Sequence, residues 1–312
     1  MHIALLFHGA LPVKGYGGSE RVVVWLARGL AELGHRVTLI AGPGSKVREA
    51  ELVPVSPREA ERADFDVRPF LPAGLDVLHA HRPLGDAGVP TLWTMHGNAR
   101  QGRTYPPRMV CVSADHARRH GTDAYVLNGL DPADYRYEPV KGDYDLFLGR
   151  LHAAKGWRWA MDGARRSGRR LVVAGGWRPT VRPWLRFAGE VDGREKQDLL
   201  AEAACLWMPA LWDEPFGLTL IEALASGTPV LGTRRGALPE VITPETGALG
   251  STLDELVALR PTLDAVAPDA CRARVERWFS HRAMAAGYLR CYAGLIATGA
   301  LPAGRPAGDG GT

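Results

Sequence analysis

The sequence predicts an α/β fold of two doubly wound, Rossmann-like parallel-sheet domains, and three observations predict it. Short apolar runs alternate with amphipathic helical stretches through the first half of the chain. The alternation stops in a charged, aromatic stretch at 134–145 that contains Pro139 and Gly142, and it restarts at 145. The 312 residues, 46% hydrophobic and 23% charged, suffice for two globular domains of ordinary size. Strand–helix alternation of this kind gives parallel sheets covered by helices on both faces.

The first half opens on an apolar strand at 2–7. A glycine-rich loop, Gly15-Tyr16-Gly17-Gly18-Ser19-Glu20, then leads into a helix over 18–33 with Val22, Val23, Trp25, Leu26, Leu30 and Leu33 on its apolar face, closed by Gly34. Strands are expected at 36–41, 76–80, 90–95, 109–113 and 124–127, with a helix at 113–120 and weaker helices near 57–63 and 83–87. In the second half, strands are expected at 145–149, 171–174, 186–188, 205–208 and 229–233, and helices at 156–167, 193–203 and 217–226. The segment 270–297 reads as helical and amphipathic. The last residues, 300–312, are rich in Gly, Pro and Ala and read as a disordered tail.

Bulk properties narrow the function classes. No run of eighteen apolar residues occurs, so no transmembrane helix is expected, and the apolar start reads as a first strand instead of a signal peptide. Cys111, Cys205, Cys271 and Cys291 form no CxxC pair, which argues against a zinc or redox motif and for a reducing, cytoplasmic setting. The net charge of +4 suits phosphate-bearing ligands or an anionic membrane surface.

The densest chemical signal is Glu214-Pro215-Phe216-Gly217-Leu218-Thr219-Leu220-Ile221-Glu222. It follows a buried strand and opens a helix, so its polar loop lies at the carboxyl end of a strand, where open α/β sheets bind ligands. Amides of Gly217, Leu218 and Thr219 at a helix start suit an anion. Glu214 and Glu222 suit sugar hydroxyls and a ribose diol. A second strand runs out at Phe147-Leu148-Gly149-Arg150-Leu151-His152-Ala153-Ala154-Lys155-Gly156, presenting Arg150 and Lys155. A third ends at Thr94-Met95-His96-Gly97.

These motifs together resemble the retaining glycosyltransferases of family four, which have the GT-B fold: two Rossmann-like domains facing a central cleft. The resemblance implies transfer of a sugar from a nucleotide diphosphate sugar to an acceptor hydroxyl, with no metal and no cofactor. It implies that Arg150 and Lys155 hold the donor diphosphate, that Glu214 orients the sugar, and that His96 lines the cleft. It places Gly17, Gly18, Val191, Phe216, Gly217, Leu218, Thr219 and Glu222 around the donor. The family is usually assigned front-face substitution, in which the leaving phosphate accepts the acceptor proton. Expected domains are an acceptor-side domain over 1–137, a nucleotide-sugar domain over 138–280, and a helix over 281–299 crossing back to the first domain. A hinge is expected in the 134–145 linker. The donor base is left among UDP, GDP and ADP, and the acceptor among lipids, glycans and small metabolites. Arg100, Arg103 and Arg108 near Tyr105 are the one hint of a lipid acceptor and of peripheral membrane contact.

Other readings differ in chemistry: a GT-B epimerase, a phosphorylase with a pyridoxal lysine in a longer chain, or a binding protein without catalysis. Asp64-Phe65-Asp66 and Asp143-Tyr144-Asp145 match a metal-binding DxD triplet, but neither has evident partner oxygens. His79 and His81 lack a third zinc ligand and are expected to line the cleft. The basic run from Arg165 to Arg170 lacks interleaved aromatics and reads as a solvated turn, so no nucleic acid is expected.

Overall fold

The computed structural model describes residues 1–13, 15, 17–99, 102 and 104–305. Arg100, Arg103, Tyr16 and residues 306–312 lie outside the described residues, and with them two of the three arginines of the lipid hint and most of the expected tail. The chain divides into two compact units, Met1–Leu130 with Ser280–Thr312, and Asp131–Phe279.

The first unit contains strands β1 (His2–Leu6), β2 (Arg36–Ala41), β3 (Glu51–Pro54), β4 (Val77–Ala80), β5 (Thr91–Thr94) and β6 (Met109–Val110). Its helices are α1 (Gly18–Glu32), α2 (Pro57–Ala60) and α3 (Ala114–Arg119). The second unit holds β7 (Tyr144–Leu148), α4 (Trp157–Arg166), β8 (Arg170–Ala174), β9 (Leu185–Gly189), α5 (Gly193–Glu202), β10 (Cys205–Met208), α6 (Leu218–Ala225), β11 (Val230–Thr233), α7 (Leu238–Val241), β12 (Gly247–Gly250), α8 (Leu253–Leu259) and α9 (Pro268–Trp278). Helix α10 (His281–Thr298) returns to the first unit.

Each unit is built on one six-stranded sheet, in the orders β3-β2-β1-β4-β5-β6 and β12-β11-β10-β7-β8-β9. Every strand pairing is parallel. Counted along the chain, the two orders are the same doubly wound topology. The strand order therefore reverses between β1 and β4 in one unit and between β7 and β10 in the other, and such sheets bind ligands at the carboxyl ends beside that reversal.

Burial explains the strands. β1, β4, β5, β10 and β11 are buried along their whole length, as central parallel strands covered on both faces must be. In the second unit Phe147, Trp157, Leu171, Val173, Trp207 and Leu231 form one packed cluster. Its anchor is ionic: Arg260 donates to Asp145 from Nε and Nη2 at 2.8 and 2.7 Å, and Trp207 Nε1 donates to the same carboxylate at 2.8 Å. Asp145 is fully buried. The Asp143–Asp145 triplet is thus a structural feature, with Asp143 bound to Arg170 on the surface.

Several expectations are corrected. No helix forms at 83–87, where Pro83, Gly85 and Gly88 interrupt any helical hydrogen bonding. Residues 124–127 contribute a single bridge, Cys111 to Tyr125, in place of a strand. The edge strands β3 and β12 were not expected. The helical segment at 270–297 is divided between α9 and α10 at Ser280, which caps α10 by accepting from the Ala283 amide at 3.2 Å. The stretch at 134–145 is not a free linker: Arg136 bonds Asp198 and Glu202, Tyr137 bonds Asp269, and Lys141 donates to the carbonyls of Ala201 and Ser226. It belongs wholly to the second unit, and the division falls at Leu130/Asp131 and Phe279/Ser280. Residues 300–305 are held as well, with the Gly304 amide donating to Asp123 at 2.8 Å, so the expected disorder does not begin at 300.

Candidate active site

The reversal point of the second sheet gathers two loops. One leaves β7 and carries Arg150 and Lys155; the other leaves β10 and carries Trp212 and Glu214. The loops are clamped together by backbone. The Leu211 amide donates to the Ala154 carbonyl at 2.8 Å. Gly156 adopts a left-handed φ of 72°, and a Cβ there would stand 1.8 Å from the Pro209 carbonyl oxygen, so only glycine permits the approach.

That approach brings Lys155 Nζ to 2.6 Å from Glu214 Oε2, with side chains 19% and 10% exposed. Trp212 Nε1 donates to the same oxygen at 3.0 Å, and the Lys155 ammonium stands 4.8 Å from the Trp212 ring centroid. The Glu214 backbone is fixed from the other side. Gly236 packs so tightly that a Cβ would lie 2.3 Å from the Glu214 carbonyl oxygen, which accepts from the Ala237 amide at 2.9 Å. Arg150 is exposed at the start of the β7 loop, and its carbonyl accepts from His152 at 2.7 Å.

Helix α6 begins at Leu218, four residues after Glu214. Gly217 precedes it with φ 83°, and no side chain caps it. A helix start of this kind presents amides and the positive end of the helix dipole. Leu218 and Thr219 are partly exposed there. Phe216 is different: its ring is buried at an edge-on 6.0 Å from Phe279, so the side chain serves the core and only its backbone faces the loop. Glu222, one turn into α6, is buried, and its Oε1 accepts from Lys196 at 2.6 Å and from Tyr135 at 2.8 Å. Val191 follows β9 and is partly exposed.

In the first unit, the β1 exit loop ends at Gly17, where a Cβ would meet Val13 at 2.7 Å and Glu20 at 2.9 Å. Gly18 opens α1. His96 follows β5; its Nε2 lies 2.9 Å from His81 Nδ1, and the crowding of protein around it lowers its pKa to about 4. His79 and His81 are buried, not cleft-lining as expected. His79 bonds Tyr292 and Thr94 at 2.7 Å each, tying the sheet to α10.

Cys111, His116 and His120 come together with metal-like spacing. All four ring nitrogens are engaged, by Val112, Gly97, His116 and Ala99 backbone groups, and burial pushes the Cys111 thiol up to about 12. With both rings bonded to backbone, the cluster buttresses the turn after His96.

Trp212, Lys196 and Tyr135 were missed from sequence. Lys196 resembles any solvated lysine on a helix, and Tyr135 sits in a stretch read as linker. Trp212, two residues before Glu214 in the motif itself, was the accessible signal.

Sheet topology and a charged site at the reversal point define a GT-B glycosyltransferase, and comparison with known proteins agrees. A model of "Glycosyl transferases group 1" matches residues 144–259, and one of "Glycosyltransferase Family 4" matches 16–121. The chain resembles AviGT4, a glycosyltransferase involved in avilamycin A biosynthesis, at 31% identity and TM-score 0.78, covering 95% of this chain and 98% of that one. It is 27% identical over 299 residues to a phosphatidyl-myo-inositol mannosyltransferase of Propionibacterium freudenreichii, spanning 76% of this chain and 78% of the relative. A glycogen synthase of Mycobacterium tuberculosis is 33% identical over 178 residues, 49% of this chain and 42% of that enzyme. The protein belongs to the group 1 glycosyltransferases of family 4. Among the described residues, no helix is long and apolar enough to cross a membrane.

Proposed function

We propose that this glycosyltransferase moves a hexosyl group, with retention and without a metal ion, from a nucleotide diphosphate sugar to an acceptor hydroxyl. One observation carries the proposal: the Lys155–Glu214 pair stands at the sheet's reversal point, with Glu214 four residues before the uncapped start of α6. As the glycosidic bond breaks, the departing diphosphate gains charge. Lys155 and Arg150 neutralise it, and the amides of Gly217, Leu218 and Thr219 donate to its oxygens. Glu222 takes the ribose hydroxyls, its carboxylate oriented by Lys196 and Tyr135. Val191 packs beside the base. Gly17, Gly18 and His96 are the first unit's assigned contributors.

Glu214 orients the sugar. Its Oε2 is already engaged by an ammonium and an indole N–H, which fixes the carboxylate for that role, and the transfer follows a front-face route instead of double displacement. In that route the bond from the anomeric carbon to phosphate breaks, the acceptor oxygen bonds the same face, and its proton passes to the leaving phosphate.

The reading is tested by measuring nucleoside diphosphate release from UDP-, GDP- and ADP-linked hexoses, with and without acceptors and a chelator. Turnover of one donor, undiminished by the chelator and giving a product of unchanged anomeric configuration, is expected. Inversion, or abolition by chelation, contradicts it.

A further inference from the structure

His81 is buried, only 7% exposed, and its Nε2 has no hydrogen-bond partner among the described residues. Buried imidazole nitrogens are ordinarily satisfied, so this one calls for a physical account. The ring is fixed in place. His79 stacks on it with centroids 4.4 Å apart, and His79 is itself held by the hydroxyls of Tyr292 and Thr94. Tyr288 bonds Thr94 at 2.9 Å, so α10 braces the whole stack. His81 then meets His96 through Nδ1 and Nε2, 2.9 Å apart, with rings 5.2 Å apart and nearly parallel.

One proton lies between those two nitrogens, and its owner follows from the far side of His81. If His96 Nε2 carried it, neutral His81 would have to carry its own proton on Nε2, as a buried N–H with no acceptor. A protonated His81 would bury that same N–H together with a charge. An orphaned N–H is the rarer and costlier arrangement. If His81 Nδ1 carries the proton, Nε2 is left as a bare lone pair, and no buried donor is wasted.

We infer that His81 is a positioning residue that donates from Nδ1 to His96 Nε2, so that His96 is held neutral with its proton on Nδ1, available as a hydrogen-bond donor. His96 is the partly exposed member of the stack. So disposed, it donates to a substrate oxygen, a sugar hydroxyl or a phosphoryl oxygen, and does not act as a base. The turn that carries it is fixed from behind by α3: His116 Nε2 bonds the Gly97 carbonyl at 3.1 Å, and His120 Nε2 accepts from the Ala99 amide at 2.8 Å. The catalytic part of this inference rests on the proposed role of His96; the tautomer does not.

Long-range ¹H–¹⁵N correlation spectra of the full chain, with His96 identified by the signals lost in His96→Gln, read the tautomer directly. His96 is expected as the Nδ1–H form in the wild type, and to shift toward the Nε2–H form in His81→Leu. His81→Asn keeps an amide donor near the Nδ1 position and is expected to restore the wild-type form. Turnover should fall ten- to hundredfold in His81→Leu with KM nearly unchanged, and recover in His81→Asn. A wild-type His96 protonated on Nε2, or an unchanged tautomer in His81→Leu, overturns the inference. Failure of the functional reading shows differently: His96→Gln would keep wild-type turnover while the wild-type tautomer remained as inferred.

Discussion

Lys155 and Glu214 lie 59 residues apart in sequence, and neither residue alone predicts their 2.6 Å contact. The contact makes each dependent on the other. Lys155→Ala and Glu214→Ala are each expected to lower kcat/KM by roughly 10²–10³-fold, about 3–4 kcal/mol of transition-state stabilisation, while circular dichroism shows a retained fold. Either variant at wild-type turnover would remove the pair from the site. Acid sensitivity is also decided by single residues. Burial holds His96 at about 4 and His116 at about 3, below the ordinary histidine value of about 6.5. The unfolded chain therefore takes up these protons first as pH falls. Their stabilisation is complete above about pH 6.5, declines below it, and is spent near pH 3. Urea melts should show this decline, and His116→Asn should flatten it. An equal pH slope in the variant would exclude His116 as a source.

The elements show why some of the site was legible and some was not. The strand–helix–strand around Glu214 could be read because a buried run, a Gly-Pro stop and a second buried run punctuate it. The clamp between the β7 and β10 loops could not, because it depends on sheet order: β7 is followed in sequence by β8 and β9, yet pairs with β10. Gly156 is the hinge point of that clamp. Gly156→Ala forces a left-handed alanine against the Pro209 carbonyl, and on the order of 2 kcal/mol or more of stability should be lost. Separation of Lys155 from Glu214 should follow, seen as a drop in turnover beyond that of the melting temperature alone; normal turnover would show the clamp to be dispensable. The edge strands β3 and β12 escaped detection for compositional reasons, since β3 ends in Pro54 and β12 begins and ends in glycine. Asp145 was rightly set aside as half of a metal triplet, but its structural partner Arg260, 115 residues on, was not legible. Asp145→Asn should cost about 3–5 kcal/mol in urea unfolding of the second unit, as breaking a buried pair does. A cost below 1 kcal/mol would assign the anchoring to the surrounding apolar cluster instead.

At the scale of the molecule, two tandem parallel α/β units were legible from alternation, but the strand order and the ownership of segments were not. The charged stretch at 134–145 has the composition of a linker, yet its side chains are bonded throughout the second unit. The last helix is part of the first unit's core: Tyr288 and Tyr292 are fully buried, Gly29 of α1 lets the backbone of His281 approach closely, and His281 and Arg282 both bond Glu32. Truncation after Phe279 should therefore unfold the first unit while leaving the second, which differential scanning calorimetry of the truncated and full chains would show as loss of one transition. Two intact transitions would mean that α10 is an accessory.

The central claim is that the loops leaving β7 and β10, with the start of α6, form one diphosphate site. Calorimetric titration of the wild type and of Lys155→Ala with UDP, GDP and ADP tests it most directly. The wild type should bind one of the three, and the variant should bind that same nucleotide at least tenfold more weakly. Equal affinity in the two proteins, or no binding of any of the three by the wild type, would contradict it.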